Sequence, residues 1–223
     1  MTASSFETLE LLPATPPRQL FVLLHDAGGA ALDMLDFANL LGESFPDAAI
    51  VMPEGAESIH LGKTERHWFP AFELSDANRP ERVAKAVAAL AVFLREQQSR
   101  FGILQSDTAV AGFGQGATLA LTLSDAYDGL SGRVLAFSGS YAALPDKAPA
   151  LTTLHLLHGR RDEGVPTQLT QQAYARLMEL GADATCDIAS TIAHELHPAL
   201  MDQAVQRLLT CVPLRFWRSA SRG

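Results

Sequence analysis

Apolar runs and amphipathic stretches alternate along the whole chain. Gln19-Leu20-Phe21-Val22-Leu23-Leu24-His25 is almost unbroken in its apolar character, the pattern of a strand covered on both faces. The runs at 48–52, 108–113, 133–137 and 151–157 repeat it. Residues 6–12 read as an edge strand and 184–189 as the last strand. Between these runs the spacing predicts helices over 31–41, 82–101, 115–126, 166–180 and 198–209. In the second of these, Val83, Val87, Leu90 and Leu94 recur at intervals of four, three and four, which marks one helix face. Pro80 suits the first turn of that helix, with Asp76 or Asn78 as its cap, and Gly181 suits the stop after the fourth. Alternation of this kind predicts an α/β protein: a mostly parallel central sheet flanked by helices in three layers.

The segment 53–77 breaks the pattern. It joins a strand to a helix through a long stretch without periodicity, yet it carries His60, Arg66, His67, Trp68, Phe69 and Phe72. Loops longer than ~12–15 residues inside compact domains are usually functional or disordered, and the aromatics favour function.

Composition narrows the classes. The chain has 223 residues, 48% of them hydrophobic, enough for one domain over 1–223 with its core at about 19–210 and no separate lid domain. A net charge of −8 excludes nucleic acid as the expected partner, since phosphate binding needs clustered Lys and Arg. No apolar run approaches the ~20 residues of a membrane span, and the N-terminal residues do not read as a secretory signal. Cys186 and Cys211 form no metal-binding pattern and read as buried thiols, which suits the cytoplasm. The basic tail Arg215-Phe216-Trp217-Arg218 reads as a packed or frayed end.

The candidate chemistry centres on Gly112-Phe113-Gly114-Gln115-Gly116. It follows a strand and opens a helix, as the nucleophile elbow G-x-S-x-G does, with Gly114 at the nucleophile position. The elbow turn needs positive φ at its centre, which glycine adopts without a Cβ penalty. Alone, the stretch could equally be a glycine-rich phosphate-binding turn, although the Walker lysine and the G-x-G-x-x-G spacing are both missing. Asp162 follows the 151–157 run, and His194 follows the 184–189 run. The order position 114, Asp162, His194 is nucleophile, acid, base. In that reading Asp162 orients His194, and His194 is the general base, with His197 as competitor. The loop His25-Asp26-Ala27-Gly28 follows the first long apolar run. Ala27 and Gln115 are the expected backbone donors of an oxyanion hole.

These motifs together resemble the phospholipase/carboxylesterase family of small α/β-hydrolases. That family carries H-G-x-G, R-x-W-F, G-F-S-Q-G, H-G-x-x-D-x-x-V-P and a late G-H. The counterparts here are His25–Gly28, Arg66–Phe69, Gly112–Gly116, His158–Pro166 and Ala193–His194. The resemblance implies an α/β-hydrolase acting on carboxylic ester or thioester bonds of small acyl substrates, without metal or cofactor. A homodimer is compatible with it. It also implies that Arg66, Trp68 and Phe69 border the substrate pocket, near Asp26. Core packing is the alternative for the two aromatics.

Three departures from the family pattern fall at the site: Gly114 for serine, Asp26 for glycine, Ala193 for glycine. A carboxylate at Asp26 would repel a developing oxyanion unless it turns away or is paired. Two unit charges 4 Å apart interact by about 4 kcal/mol at an effective dielectric of ~20, comparable with the ~3 kcal/mol of one oxyanion-hole donor. With no hydroxyl at Gly114 the loss is larger still, on the order of 10⁶ in rate by analogy with triad knockouts, and ester turnover is expected to be weak or lost. Three routes lead to a glycine here: deliberate silencing, natural loss that leaves a pseudo-hydrolase binding an ester or acyl ligand, or reliance on a water held where the serine side chain would be.

Overall fold

The computed structural model describes residues 6–58, 65–70, 73–75 and 77–214. Its strands are β1 (Thr8–Leu11), β2 (Gln19–Leu24), β3 (Ala48–Pro53), β4 (Glu57–Ser58), β5 (Arg66–His67), β6 (Thr108–Phe113), β7 (Arg133–Phe137), β8 (Thr153–Gly159) and β9 (Ala184–Ala189). Its helices are α1 (Leu35–Ser44), α2 (Arg79–Phe101), α3 (Gln115–Ala126), α4 (Thr167–Glu179) and α5 (Pro198–Thr210).

Seven strands form one sheet in the order β1-β3-β2-β6-β7-β8-β9. Only β1 is antiparallel, paired with β3, and every other neighbour pair is parallel. Strand residues alternate between the two faces. Leu20, Val22 and Leu24 join one buried cluster with residues of α2, α3 and α4, while Phe21 and Leu23 join another with residues of α1 and α5. Helices therefore cover both faces, which is why β2 is apolar throughout rather than alternating. Val83, Val87, Leu90 and Leu94 are all buried on α2, as their spacing requires.

Some element ends coincide with the sequence expectation, as in β6, β7, β9 and α3, and others differ from it by up to three residues. The 31–41 helix divides into a 3-10 turn, Ala31–Met34, and α1. The 151–157 strand begins and ends two residues later, at Thr153–Gly159. Asn78 sits at the start of α2, but its side chain accepts from Ser75 N–H instead of capping the helix. Asp76, His60, Phe72 and the basic tail lie outside the described residues. Both cysteines are free and half-buried rather than fully enclosed.

The strand order reverses direction at β2 and β6, so the crevice outside their carboxyl ends is where such sheets place ligands. The register there is Leu24 beside Gly112. Counting two residues beyond each strand position brings Asp26 opposite Gly114.

Candidate active site

The elbow is the tightest part of the fold. Gly114 has φ +54° and ψ −109° and immediately precedes α3. The positions two residues to either side are glycines because nothing larger fits: a Cβ on Gly112 would overlap the backbone of Gly116, and one on Gly116 would overlap the carbonyl of Leu24. β6 thus turns into α3 flush against β2, and the N–H groups that open α3 face the crevice.

Asp26 enters that crevice from the end of β2. Its Oδ1 accepts the Gln115 N–H at 2.6 Å, and the Ala27 N–H also donates to its carboxylate. These are the two backbone donors expected of the oxyanion hole, and here a side chain of the protein occupies both. A Cβ built on Gly114 would overlap Oδ1 and Cγ of Asp26. The volume that a side chain at position 114 would need is filled by this carboxylate. The repulsion anticipated for Asp26 is met by pairing.

The pairing partner is His194. Its Nε2 lies 2.9 Å from Asp26 Oδ2, and its Nδ1 lies 2.8 Å from Asp162 Oδ2. Asp162 comes from the loop after β8 and His194 from the loop after β9, so the ends of β2, β9 and β8 converge on one line: carboxylate, imidazole, carboxylate. The imidazole ring is held between neighbours. Phe113 stacks on it at 4.7 Å between centroids and 31° between planes, and Gly164 faces it closely enough that a Cβ would lie 3.1 Å from its Cγ.

Two carboxylates on one imidazole fix its protonation. Each ring nitrogen faces an acceptor, so only the imidazolium satisfies both. The hydrogen bond to Asp26 is the largest effect on His194. It outweighs burial, Asp162 adds to it, and the pKa is pushed up to about 9. Burial alone would raise Asp26, but its bonds from His194, Gln115 N–H and Ala27 N–H hold the carboxyl below the usual range. Asp162 behaves likewise: against burial, the Val165 N–H (2.7 Å) and His194 keep it ionised. In a serine triad the corresponding Nε2 must accept a proton from the hydroxyl. Here it already donates.

The first histidines of two motif stretches, His25 and His158, to which the sequence assigns no role, brace this arrangement. His25 is fully buried. Its Nε2 accepts from Gly55 N–H at 2.9 Å, so its Nδ1 carries the proton and donates to Asp26 carbonyl at 2.6 Å. Burial lowers its pKa, which keeps it neutral and keeps the tautomer. His158 is also fully buried, with Nδ1 2.7 Å from Thr170 Oγ1 and Nε2 2.9 Å from Val165 carbonyl. It steadies the turn that presents Asp162. No pattern in the sequence separates such bracing histidines from catalytic ones, because both follow strands and both sit next to site residues.

The long loop closes over the Asp26 segment from outside. β4 and β5 pair with each other, and Arg66 exchanges backbone hydrogen bonds with Gly28 and Gly29 at 2.9 Å each. The Arg66 side chain leaves the crevice and meets Glu7 at 3.6 Å. Trp68 and Phe69 are buried in the core. Trp68 Nε1 donates to His25 carbonyl at 2.8 Å, and Gln115 binds the backbone of both residues, accepting from Trp68 N–H (2.7 Å) and donating to Phe69 carbonyl (3.1 Å). The core-packing alternative therefore describes where these aromatics lie. They tie the β2 loop to the elbow, and Gln115 does so with its side chain while its N–H faces Asp26. His197 stands apart, at the start of α5, accepting from Ala199 N–H at 3.1 Å.

Among the described residues no group of three or more His, Cys, Asp or Glu is arranged to hold a metal ion, and no helix is long and apolar enough to cross a membrane. The sheet order, the elbow and the convergence of strand ends define an α/β-hydrolase. Within that class the chain belongs to the phospholipase/carboxylesterase family, which it matches over residues 11–212. It is 33% identical over 211 residues to the esterase YpfH of Escherichia coli K12, covering 95% of this chain and 90% of that protein. Among solved structures, esterase PE8 superimposes with a TM-score of 0.81 at 26% identity, covering 93% of this chain and 99% of that one. The Bacillus cereus carboxylesterase shares the fold, with a TM-score of 0.76 at 17% identity over 92% of this chain and 94% of its own.

Proposed function

We propose that this chain keeps the scaffold of an esterase acting on small acyl esters or thioesters, and that the acyl-serine route is lost from it. Position 114 is the nucleophile position of that scaffold, Asp162 and His194 are its acid and base, and Ala27 and Gln115 are its oxyanion donors. One observation carries the reading: the Asp26 carboxylate occupies both the space of a side chain at position 114 and the Gln115 N–H. An ester carbonyl cannot enter a hole already filled by an anion, and His194 cannot accept a proton while it is an imidazolium between two carboxylates. The same filling argues against a pure binding role for free carboxylic acids, since such a ligand would have to displace Asp26. The two free thiols support a reducing compartment such as the cytoplasm.

p-Nitrophenyl butyrate hydrolysis and fluorophosphonate labelling test the proposal. The chain as it stands is expected to show neither. Rapid hydrolysis by the unaltered chain would overturn it.

A further inference from the structure

The same geometry that blocks a serine mechanism assembles a different nucleophile. We propose that Asp26 is itself a covalent nucleophile, attacking saturated carbon that bears a leaving group stable as an anion, with a haloalkane as the substrate class. This goes beyond the loss of ester turnover and uses the same residues in new roles.

Carboxylates are competent nucleophiles when they are positioned and kept ionised. Asp26 is ionised, has one oxygen on the Gln115 N–H at the start of α3, has the other at 2.9 Å from His194, and its side chain is 26% exposed. The choice of saturated rather than acyl carbon follows from the filled hole. Attack on an acyl carbon would need oxyanion donors for the substrate's own oxygen, and Asp26 holds those donors. Displacement at saturated carbon needs none. The donors become useful in the following step, because the oxyanion then forms on Asp26 Oδ1, already 2.6 Å from Gln115 N–H.

The steps balance as follows. Oδ2 of Asp26 forms a bond to the substrate carbon as the carbon–halogen bond breaks, giving an alkyl ester and halide. Esterification removes the carboxylate charge that chiefly raises the pKa of His194, so the imidazolium releases its proton to solvent and becomes a base, still oriented by Asp162. Water then attacks Asp26 Cγ while His194 takes its proton, and the negative charge gathers on Oδ1. Collapse breaks the Cγ–Oδ2 bond and expels the alkoxide, which His194 reprotonates. The resulting Asp26 carboxylic acid returns its proton to His194, which restores the starting ion pair. The net reaction is haloalkane plus water to alcohol, halide and a proton. Water is the sole co-reactant.

The test uses the full chain and 1-bromobutane. Bromide release above that of Asp26→Asn is expected. In His194→Gln, which lacks the base for the second step, one butyl group is expected on the peptide containing Asp26. In H2¹⁸O, a single turnover of the unaltered chain is expected to place the label in the Asp26 carboxylate, an outcome that does not depend on any variant folding. Bromide release equal to that of Asp26→Asn, with no butyl adduct and no label in Asp26, would overturn the proposal. That result would leave Asp26 as an internal plug and would not touch the ester assay, so the two readings fail separately.

Discussion

Oδ2 of Asp26 stands 2.9 Å from Nε2 of His194, where a serine hydroxyl would stand in a hydrolase triad. The glycine at 114 leaves the room that the Asp26 carboxylate fills.

Placing a serine at position 114 by one substitution is not expected to create an esterase. In Gly114→Ser the new Cβ meets Asp26 Oδ1 and Cγ, and the residue must also adopt φ +54°. The double variant Asp26→Gly/Gly114→Ser removes the obstacle, opens the Gln115 N–H and returns His194 Nε2 to the hydroxyl. Because losing a nucleophilic serine costs about 10⁶-fold in rate, the double variant should exceed Gly114→Ser by on the order of 10³-fold or more in p-nitrophenyl butyrate hydrolysis. It alone should label with a fluorophosphonate. Equal activity of the two variants would contradict the obstruction by Asp26.

Stability should depend on pH through the ion pair. His194 is raised from 6.5 to about 9 on folding. Its contribution is therefore complete below about pH 6.5 and lost as pH rises through 9. Asp26 and Asp162 are lowered, so their contributions are present above the usual carboxylate range and lost in acid. Thermal unfolding should be most resistant between about pH 5 and 6.5 and decline by several degrees towards pH 9, at roughly 2–4 °C per kcal/mol for a chain of this size. In Asp26→Asn the alkaline decline should shrink. An unchanged decline would assign it to other groups.

His197 and His194 should separate cleanly. His197→Ala removes the acceptor for Ala199 N–H at the start of α5 and should cost about 1 kcal/mol in urea unfolding. It should leave the protonation of His194 untouched.

Trp68 should act through position. Trp68→Phe keeps most of the buried ring but leaves the His25 carbonyl without its 2.8 Å donor, a loss of about 1–3 kcal/mol in urea unfolding. Because that carbonyl lies one residue before Asp26, hydrogen exchange at the Ala27 and Gln115 amides should quicken in this variant.

Much of this molecule is legible from its residues. The runs that became β2, β3, β6 and β7 are apolar because helices cover both faces of the sheet, and their ends, like those of the half-buried edge strand β9, fall at or within one residue of the expected ones. The order of Gly114, Asp162 and His194 along the chain anticipated their places after β6, β8 and β9. The partner of Asp26 was not legible. It depends on the parallel register that sets Leu24 beside Gly112, and a register between strands some 90 positions apart leaves no local signature. Trp68 and Phe69 were ambiguous for a related reason. An aromatic pair in a long loop reads alike whether it lines a pocket or folds back into the core, and only Gln115 and the His25 carbonyl decide it.

The most direct test of the account is the titration of His194 itself by NMR of its imidazole carbons and nitrogens, in the unaltered chain and in Asp26→Asn. The account predicts an imidazolium that persists to about pH 9, and a clear fall in that pKa once Asp26 is neutral. A His194 that titrates near 6.5 in both proteins would contradict it, because Asp26 would then not be the group that holds His194 as an imidazolium.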